Sequence, residues 1–320
     1  MKIPIKMRAM LWLANQKKGS EIHEMSVEQA RFSSKTTLDK VAYFFDGPAI
    51  PLHQVTDKEI EGRNGLIPIR IYQPIAPNNL PVIMYFHGGG FVMRSIQSHD
   101  KVCRRIASQN ECIVISVDYR LAPEYKFPMG LHDCYDATVW SVHNATIHKG
   151  DPSNLILMGD SAGGNLATAV AMMSRDHNDP KISYQVLIYP CTDGTLSQPS
   201  IDTCGEHYYL TKKMMIWFLG HYISKDDDIY SPYLSMMLAN DLSNLPPAYI
   251  LTAEYDPLKD EGKRYADSLR DAGNDVTFKE YGGMIHGFLN MPKMSKYVSI
   301  AYSDINRQLS KIKNQSESAD

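Results

Sequence analysis

Short apolar segments that alternate with helix-like segments constrain the fold of this chain more than any other feature. The apolar segments are rich in β-branched residues, and between most of them lies a segment with the apolar spacing of a helix. Near-continuous apolar strands separated by helices are typical of a mostly parallel sheet that is covered on both faces. The alternation therefore predicts an α/β protein.

The same alternation locates the individual elements. Strands are predicted at residues 66–72, 81–86, 112–118, 155–158, 185–189, 248–253 and 276–281. Helices are predicted at residues 100–109, 131–148, 165–175 and 261–272. The sequence contains no internal repeat and no low-complexity linker that would separate these elements.

Two regions interrupt the alternation and are predicted to form a cap. Residues 1–50 look helical and mixed in polarity, and residues 193–240 are rich in aromatic side chains and methionine without a sheet-type strand. Insertions beyond the carboxyl ends of the strands of an α/β sheet often form lids over the ligand. We therefore predict an N-terminal cap segment (1–50), a core (51–192), a cap insertion (193–240) and the C-terminal part of the core (241–320). For any one residue of 207–222, packing on the core is an equally good interpretation.

The segment GDSAGG at residues 159–164 lies between the apolar segment NLILM and the small-residue segment NLATAVAMM. The small residues around Ser161 favour either close packing of a helix on a sheet or a bend that exposes a nucleophile. In the pattern G-x-S-x-G, a tight strand-to-helix turn lifts the serine hydroxyl above the sheet edge. The N–H of Ala162 then lies at a helix N-terminus, where it favours an anion. Taken alone the pattern is short, and a purely structural turn remains the alternative.

A second glycine-rich segment, HGGG at residues 87–90, directly follows the predicted strand 81–86. Consecutive glycines cost conformational entropy, so Gly88, Gly89 and Gly90 indicate that main-chain N–H groups approach something closely. A tetrahedral oxyanion is one such group, and backbone donors stabilise it without reorganisation. A flexible loop is the alternative. We interpret His87 as a structural residue that holds this loop.

A base and an acid are predicted late in the chain. A serine hydroxyl needs a base to take its proton, and the base needs an acid to fix its tautomer. Asp256 follows the predicted strand 248–253, and His286 follows the predicted strand 276–281. Both would lie at the same sheet edge as Ser161, and the chain order Ser, Asp, His is the order found in α/β hydrolases.

Other carboxylates and histidines compete for these roles. Glu254 is an alternative acid, whereas Asp260 and Glu261 stand where a helix begins and a carboxylate usually compensates the helix dipole. His207 and His221 precede the acid and fall in the predicted cap, where packing or substrate contact is the better interpretation.

The motifs together resemble one family. HGGGF, YRLAPE (119–124), GDSAGG, DPLKDEG (256–262) and IHGF occur in the order seen in the bacterial hormone-sensitive-lipase family of carboxylesterases, and the match runs from about residue 66 to about residue 310. The resemblance implies an α/β-hydrolase core with a helical cap. It also implies that Ser161 is the nucleophile, Asp256 the acid and His286 the base. The oxyanion hole would be formed by Gly89, Gly90 and Ala162, with Gly88 shaping the loop.

Composition and charge exclude several other classes of protein. The 320 residues are 43% hydrophobic, as a packed core requires, and the net charge of −3 favours neither nucleic acid nor an anionic membrane as a partner. No segment is long enough to span a membrane, so we predict a cytoplasmic protein. The N-terminal AMLWLA patch is short and has no small-residue cleavage site after it, which leaves a signal peptide as the less favoured interpretation. The five cysteines are widely spaced and interpreted as reduced core thiols, and no metal-ligand motif or cofactor is indicated.

The predicted function follows from the motifs and the resemblance together. We predict a serine carboxylesterase that hydrolyses small soluble esters with short acyl chains through an acyl-enzyme intermediate, because two cap segments would enclose the site. An amidase, or a deacetylase of carbohydrate or aryl substrates, could use the same residues. A receptor that binds a small molecule without chemistry could use the same scaffold. The resemblance also implies a homodimer.

Overall fold

A single sheet organises the molecule. The computed structural model describes residues 2–16, 21–46, 48–77 and 79–317. For residues 37–46 and 313–317 it describes the backbone only. Its strands are β1 (Gln54–Gly62), β2 (Gly65–Gln73), β3 (Leu80–Phe86), β4 (Ile113–Val117), β5 (Gly150–Asp160), β6 (Tyr184–Ile188), β7 (Ala248–Tyr255) and β8 (Val276–Ile285). They form an eight-stranded sheet in the order β1-β2-β4-β3-β5-β6-β7-β8. The pairs β1 with β2 and β2 with β4 are antiparallel, and the other pairs are parallel.

Strand β3 shows why the central strands are apolar throughout. All seven of its residues are buried, and successive side chains of a strand point to opposite faces of the sheet. Val82, Met84 and Phe86 pack into one hydrophobic cluster, whereas Ile83 and Tyr85 pack into another. A central strand with a core on each face has no polar side to present to water, which explains the near-continuous apolar pattern.

Helices cover both faces of the sheet. Those described are α1 (Ile5–Gln16), α2 (Val27–Asp46), α3 (Ile96–Asn110), α4 (Met129–Asn144), α5 (Ala162–His177), α6 (Pro199–Thr203), α7 (Lys212–Tyr222), α8 (Lys259–Asp271) and α9 (Lys296–Glu317). Apolar residues of α4, α5 and α8 belong to one hydrophobic cluster, and those of α3 and α9 to the other. The prediction of a mostly parallel sheet covered on both faces is confirmed. Within the described ranges, no helix is long and apolar enough to cross a membrane.

Two elements were not predicted from the sequence. Strand β1 lies at the sheet edge, and most of its residues are exposed or half-buried, so it lacks the apolar pattern of the central strands. Helix α9 was not predicted either, although Val298, Ala301, Tyr302 and Ile305 are buried at helical spacing. That spacing was a usable signal, whereas β1 became recognisable only through its antiparallel pairing with β2.

The two regions predicted to form a cap contain helices. Residues 193–240, all of them described, hold α6, α7 and the 3₁₀ segments Asp226–Tyr230 and Met236–Leu238, and no strand. The described part of 1–50 holds α1, α2 and the 3₁₀ segment Ile22–Glu24. A hydrogen bond joins the two regions: Asn15 Nδ2 of α1 donates to the His207 carbonyl at 3.2 Å.

Candidate active site

Ser161 lies in a strained turn between β5 and α5. Its backbone angles are φ 57° and ψ −120°, a conformation that is uncommon for a residue with a side chain. The adjacent glycines make the turn possible, because a Cβ on Gly163 would lie 1.9 Å from the Phe86 carbonyl oxygen. A Cβ on Gly159 would lie 2.2 Å from the Gly163 carbonyl oxygen. The small residues therefore do both things considered from the sequence. They let α5 pack closely on the sheet, and they allow the bend that presents Ser161.

Hydrogen bonds join Ser161, His286 and Asp256 in series. Ser161 Oγ lies 2.9 Å from His286 Nε2, and His286 Nδ1 lies 2.7 Å from Asp256 Oδ2. Each residue directly follows the carboxyl end of a parallel strand, β5, β8 and β7 respectively, so the sheet brings together three residues that are distant in sequence. Asp256 is fully buried, and its second oxygen accepts the Leu258 N–H at 2.9 Å. The series can withdraw a proton from the serine hydroxyl.

The competing carboxylates bind other groups. Glu254 accepts the Gly283 N–H at 2.7 Å, and Asp260 accepts the Ser200 N–H at 2.8 Å. Glu261 accepts the Thr192 N–H at 2.6 Å, and burial raises the pKa of Glu261 well above its ordinary value. Of the four acids considered from the sequence, Asp256 is the one hydrogen-bonded to His286.

The two histidines of the 193–240 region also lie apart from this series. The His207 side chain is 82% exposed beside Glu206. The His221 ring packs edge-on against Trp217, with ring centroids 4.5 Å apart. Neither ring is in hydrogen-bond contact with Ser161.

The HGGG loop follows β3, the strand next to β5. Gly89 and Gly90 have φ values of 127° and 61°, which side chains rarely adopt. The N–H of Gly88 donates to Asp160 Oδ1 at 3.0 Å and is therefore already engaged. The N–H groups of Gly89, Gly90 and Ala162 have no hydrogen-bond acceptor among the described residues. N–H donors without an acceptor, one of them on the residue that follows Ser161, are available to stabilise an oxyanion.

Comparison with known proteins identifies the family. Residues 83–290 match a family model described as an alpha/beta hydrolase fold. The matched span is more than half of the chain and includes the HGGG loop, Ser161, Asp256 and His286.

The chain belongs to the hormone-sensitive lipase-like branch of the α/β hydrolases.

Relatives of this α/β hydrolase are named as esterases. An arylesterase from Saccharolobus solfataricus is 39% identical over 254 residues, which cover 79% of this chain and 83% of the relative. The carboxylesterase NlhH from Mycobacterium tuberculosis is 42% identical over 235 residues, which cover 72% and 74% of the two chains. A hyperthermophilic esterase structure from the archaeon Pyrobaculum calidifontis has a TM-score of 0.89 and 40% identity, with 98% and 99% of the two chains covered. The predicted family, fold and class of enzyme, a carboxylic-ester hydrolase, are confirmed.

A buried polar network supports the HGGG loop of this α/β hydrolase from below. Asp160 accepts hydrogen bonds from Tyr85 Oη at 2.8 Å and from the Gly88 N–H at 3.0 Å, and His99 Nε2 lies 3.2 Å from its Oδ1. Burial raises the pKa of Asp160, but His99 and the hydrogen bonds from His99 and Tyr85 outweigh burial and hold the pKa below its ordinary value. The ionised carboxylate thus fixes Gly88 next to the strand that ends at Ser161.

Of the three side chains in this network, only that of Asp160 lies in a motif noted from the sequence. Asp160 was noticed as part of GDSAGG, whereas Tyr85 was assigned only to a strand and His99 was not singled out at all. In the sequence, Tyr85 is indistinguishable from the other residues of an apolar strand. His99 lies in helix α3 and belongs to no local motif. Only the packing of β3 and α3 against β5 brings the three side chains together.

His87 is a buried structural residue. Its ring stacks on Tyr119 and on His99, with centroids 4.4 and 5.6 Å apart, and Tyr119 Oη donates to the His87 carbonyl at 2.7 Å. Burial and the neighbouring His99 lower the pKa of His87 to about 3, although Asp118 Oδ1 lies 3.9 Å from Nε2. The imidazole is therefore neutral, as its interpretation as a support of the loop requires. Tyr119 shows that the YRLAPE segment also supports the loop.

Helix α7 covers the outer side of the same loop. A Cβ on Gly90 would lie 2.3 Å from Cγ of Phe218, so the Phe218 ring rests directly against Gly90. The ring of Tyr222, one turn later, stacks on Phe91 with centroids 3.9 Å apart. The apolar side of α7 therefore borders the HGGG loop through Phe218.

Proposed function

We propose that this α/β hydrolase is a serine carboxylesterase in which Ser161 is the nucleophile, His286 the general base and Asp256 the acid that orients His286. The observation that carries the proposal is the series of hydrogen bonds from Ser161 through His286 to Asp256, at 2.9 and 2.7 Å. With the proton of His286 on Nδ1 and donated to Asp256, Nε2 is free to accept the serine proton. The buried Asp256 carboxylate then stabilises the imidazolium that forms.

The acylation step uses the free N–H groups around Ser161. As His286 takes the proton, Ser161 Oγ attacks the ester carbonyl carbon and the carbonyl oxygen becomes an oxyanion. The N–H groups of Gly89, Gly90 and Ala162 would donate to that oxygen, while Gly88 holds the loop through Asp160. His286 then gives its proton to the leaving alcohol, which leaves the acyl group on Ser161.

Deacylation repeats the same chemistry with water. His286 takes a proton from a water molecule, the hydroxide attacks the acyl carbon, and the second oxyanion forms at the same N–H groups. Collapse of that intermediate returns the proton to Ser161 and releases the carboxylic acid. No step needs a metal or an organic cofactor.

We propose small soluble esters with short acyl chains as substrates. Phe218 rests against Gly90 and restricts the space beside the HGGG loop. Residues 1–50 and 193–240 act in this proposal as the two parts of a cap over the site. Asn15, which donates to His207, supports a direct contact between these parts.

Hydrolysis of p-nitrophenyl acetate, butyrate, octanoate and palmitate tests this proposal. The purified protein is compared with Ser161→Ala in the presence of a chelator, and thermal unfolding is measured to show that both are folded. We expect saturable turnover that falls with acyl length and is lost in the variant. Activity that rises steeply towards palmitate would reject the short-chain substrate, and a folded wild type without turnover would favour a non-catalytic receptor.

Matched ester and amide substrates with the same acyl group separate an esterase from an amidase or a deacetylase of aryl substrates. An ester has the better leaving group, so we expect a much higher kcat/KM for the ester. Comparable values for the two substrates would favour the amidase.

We also propose a homodimer, for which β8 offers an open edge at one end of the described sheet. The light-scattering mass of the purified protein tests this, and a monomer mass would reject it. The cytoplasmic location predicted from the sequence stays a prediction.

A further inference from the structure

Arg94 has an unusual backbone conformation for a residue with a long side chain. It follows the HGGG loop and precedes helix α3, and its φ of 76° lies in the left-handed region. A non-glycine residue in that region is uncommon, and such residues cluster at sites that hold ligands. The conformation alone does not define a role, but it directs attention to what the side chain does.

Most N–H donors of the Arg94 guanidinium have no acceptor among the described residues. Nη2 donates to Tyr209 Oη at 3.0 Å, and among the described residues this is its one hydrogen-bond partner. No carboxylate in the described ranges lies within 4 Å of it. A guanidinium carries five N–H donors, so most of them remain available to another molecule. A half-buried arginine without an ion-pair partner is an uncommon feature beside an active site.

The position of Arg94 relates it to the leaving group of the ester. Its Cγ lies 3.0 Å from the place where a Cβ on Gly89 would be, so the side chain runs along the HGGG loop. Its partner Tyr209 lies against Gly287, with a ring carbon 3.4 Å from the place of a Cβ there. Gly287 directly follows His286, the residue that protonates the leaving alcohol. Arg94 therefore bridges from the HGGG loop towards the side of the site where the alcohol part of the ester must lie.

Resting on the proposed esterase function, we propose that Arg94 binds a carboxylate on the alcohol part of the substrate. The substrate class is then an ester of a hydroxy acid, such as an acylated hydroxybenzoate. A planar guanidinium matches a carboxylate geometrically, and charge-assisted hydrogen bonds of this kind are stronger than neutral ones. Tyr209 would hold the side chain in place before the substrate arrives.

A second role for Arg94 has to be distinguished from this one. Asp160 lies close enough for the charge of Arg94 to lower the pKa of Asp160. Arg94 could therefore act only by supporting the Asp160 network, in which case its loss would slow all esters alike. Asp160 has its own partners in His99, Tyr85 and Gly88, which is why we favour the substrate role.

The test compares 4-acetoxybenzoate with 4-acetoxybenzamide, which share the acetyl group and differ in charge on the leaving group. The measured quantity is the kcat/KM of the anionic ester divided by that of the neutral ester, in the wild type and in three variants. Arg94→Met removes the charge, Arg94→Lys keeps it, and Arg94→Gly suits the left-handed backbone so that folding is not at risk. We expect the ratio to fall about tenfold or more in Arg94→Met and Arg94→Gly, and less in Arg94→Lys.

A control and two contrary outcomes make the test decisive. Arg270→Met removes an exposed arginine of α8 that pairs with Asp267, and it should leave the ratio unchanged. An unchanged ratio in the Arg94 variants, or an equal loss on both esters, would overturn the substrate role. If the wild type hydrolyses the neutral ester but the ratio does not respond, the inference fails and the esterase proposal stands. If it hydrolyses neither ester, both fail.

Discussion

The carboxyl edge of the sheet and helix α7 border the same loop but hold their side chains in different ways. At the sheet edge, Asp256, His286 and Asp160 each have directional hydrogen bonds to fixed partners. On α7, Phe218 and Tyr222 contact the loop through ring surfaces alone. Directional bonds fix atoms to within a fraction of an ångström, whereas apolar contacts fix only shape and volume.

This difference separates two properties of the enzyme. Changes at the sheet edge should alter the rate on every ester by a similar factor, because the bonds act on atoms that every ester shares. Changes on α7 should alter which ester is preferred, because they change the space around the acyl group. The following variants test that separation, beginning with the largest expected effect.

Asp256→Asn should lower kcat by about 10⁴-fold on all p-nitrophenyl esters, because an amide does not hold His286 in the required tautomer. The size and shape of the side chain are kept, so thermal unfolding should change little. Steady-state kinetics and a melting curve measure both effects.

Glu254→Gln is the matched control for that variant. Its carboxylate lies two residues earlier and accepts the Gly283 N–H. The control should keep most of the activity. If Asp256→Asn were active and Glu254→Gln were not, the acid would be misassigned.

Asp160→Asn should lower kcat roughly tenfold or more on all esters, because the HGGG loop loses the charge that fixes Gly88. It should also lower the free energy of unfolding by about 1 to 3 kcal/mol, because the buried Tyr85 hydroxyl and Gly88 N–H lose a charged acceptor. Denaturant titration and steady-state kinetics are the measurements. Asp227→Asn, an exposed aspartate, is the control and should change neither quantity. A loss in stability with kcat retained would show that the network supports the fold and not the loop.

Phe218→Ala should shift substrate preference without a general loss of rate. Removing the ring opens space beside Gly90, so the ratio of kcat/KM for octanoate over acetate should rise roughly tenfold. Ile216→Ala, an exposed residue of the same helix, is the control and should leave the ratio near the wild-type value. An equal change on both esters would contradict the separation between α7 and the sheet edge.

His87→Gln should weaken the pH dependence of stability. Burial and His99 lower the pKa of His87 to about 3, so between about pH 6.5 and pH 3 the unfolded chain binds a proton that the folded chain does not. The contribution of His87 to the free energy of unfolding is fully present above pH 6.5. It falls as the pH is lowered, by up to about 1.4 kcal/mol per pH unit. The variant should lose that contribution to the slope in melting curves across this range, whereas His143→Gln, which is exposed, should not. An unaltered slope in His87→Gln would mean that His87 is charged in the fold.

The local patterns of the sequence were sufficient for seven of the eight described strands. Apolar segments located β2 to β8, because a strand buried on both faces leaves a pattern that needs no partner to recognise. The residues that we propose as the triad were located by their position after such strands, since parallel strands bring their carboxyl ends to one edge. Edge strand β1 was not predicted, because most of its side chains are exposed or half-buried and it lacks that apolar pattern.

Other features depended on contacts between distant segments. His99 and Tyr85 join Asp160 only because α3 and β3 pack beside β5. Neither residue carries a local motif, and a histidine in a helix is ordinarily one more surface or core residue. The same holds for Phe218, whose contact with Gly90 joins segments more than a hundred residues apart.

The sequence by itself indicated the chemistry that we propose at Ser161, because a strand-to-helix turn, a glycine loop, and an acid and a base after strands are properties of short segments. Tertiary structure alone decided what surrounds that chemistry. It joined Asp256 and not Glu254 to His286 by a hydrogen bond, placed Phe218 on Gly90, and left the guanidinium of Arg94 with one hydrogen-bond partner among the described residues. The physical reason is that bonding geometry within a motif is local, whereas packing and charge pairing depend on which distant segments meet.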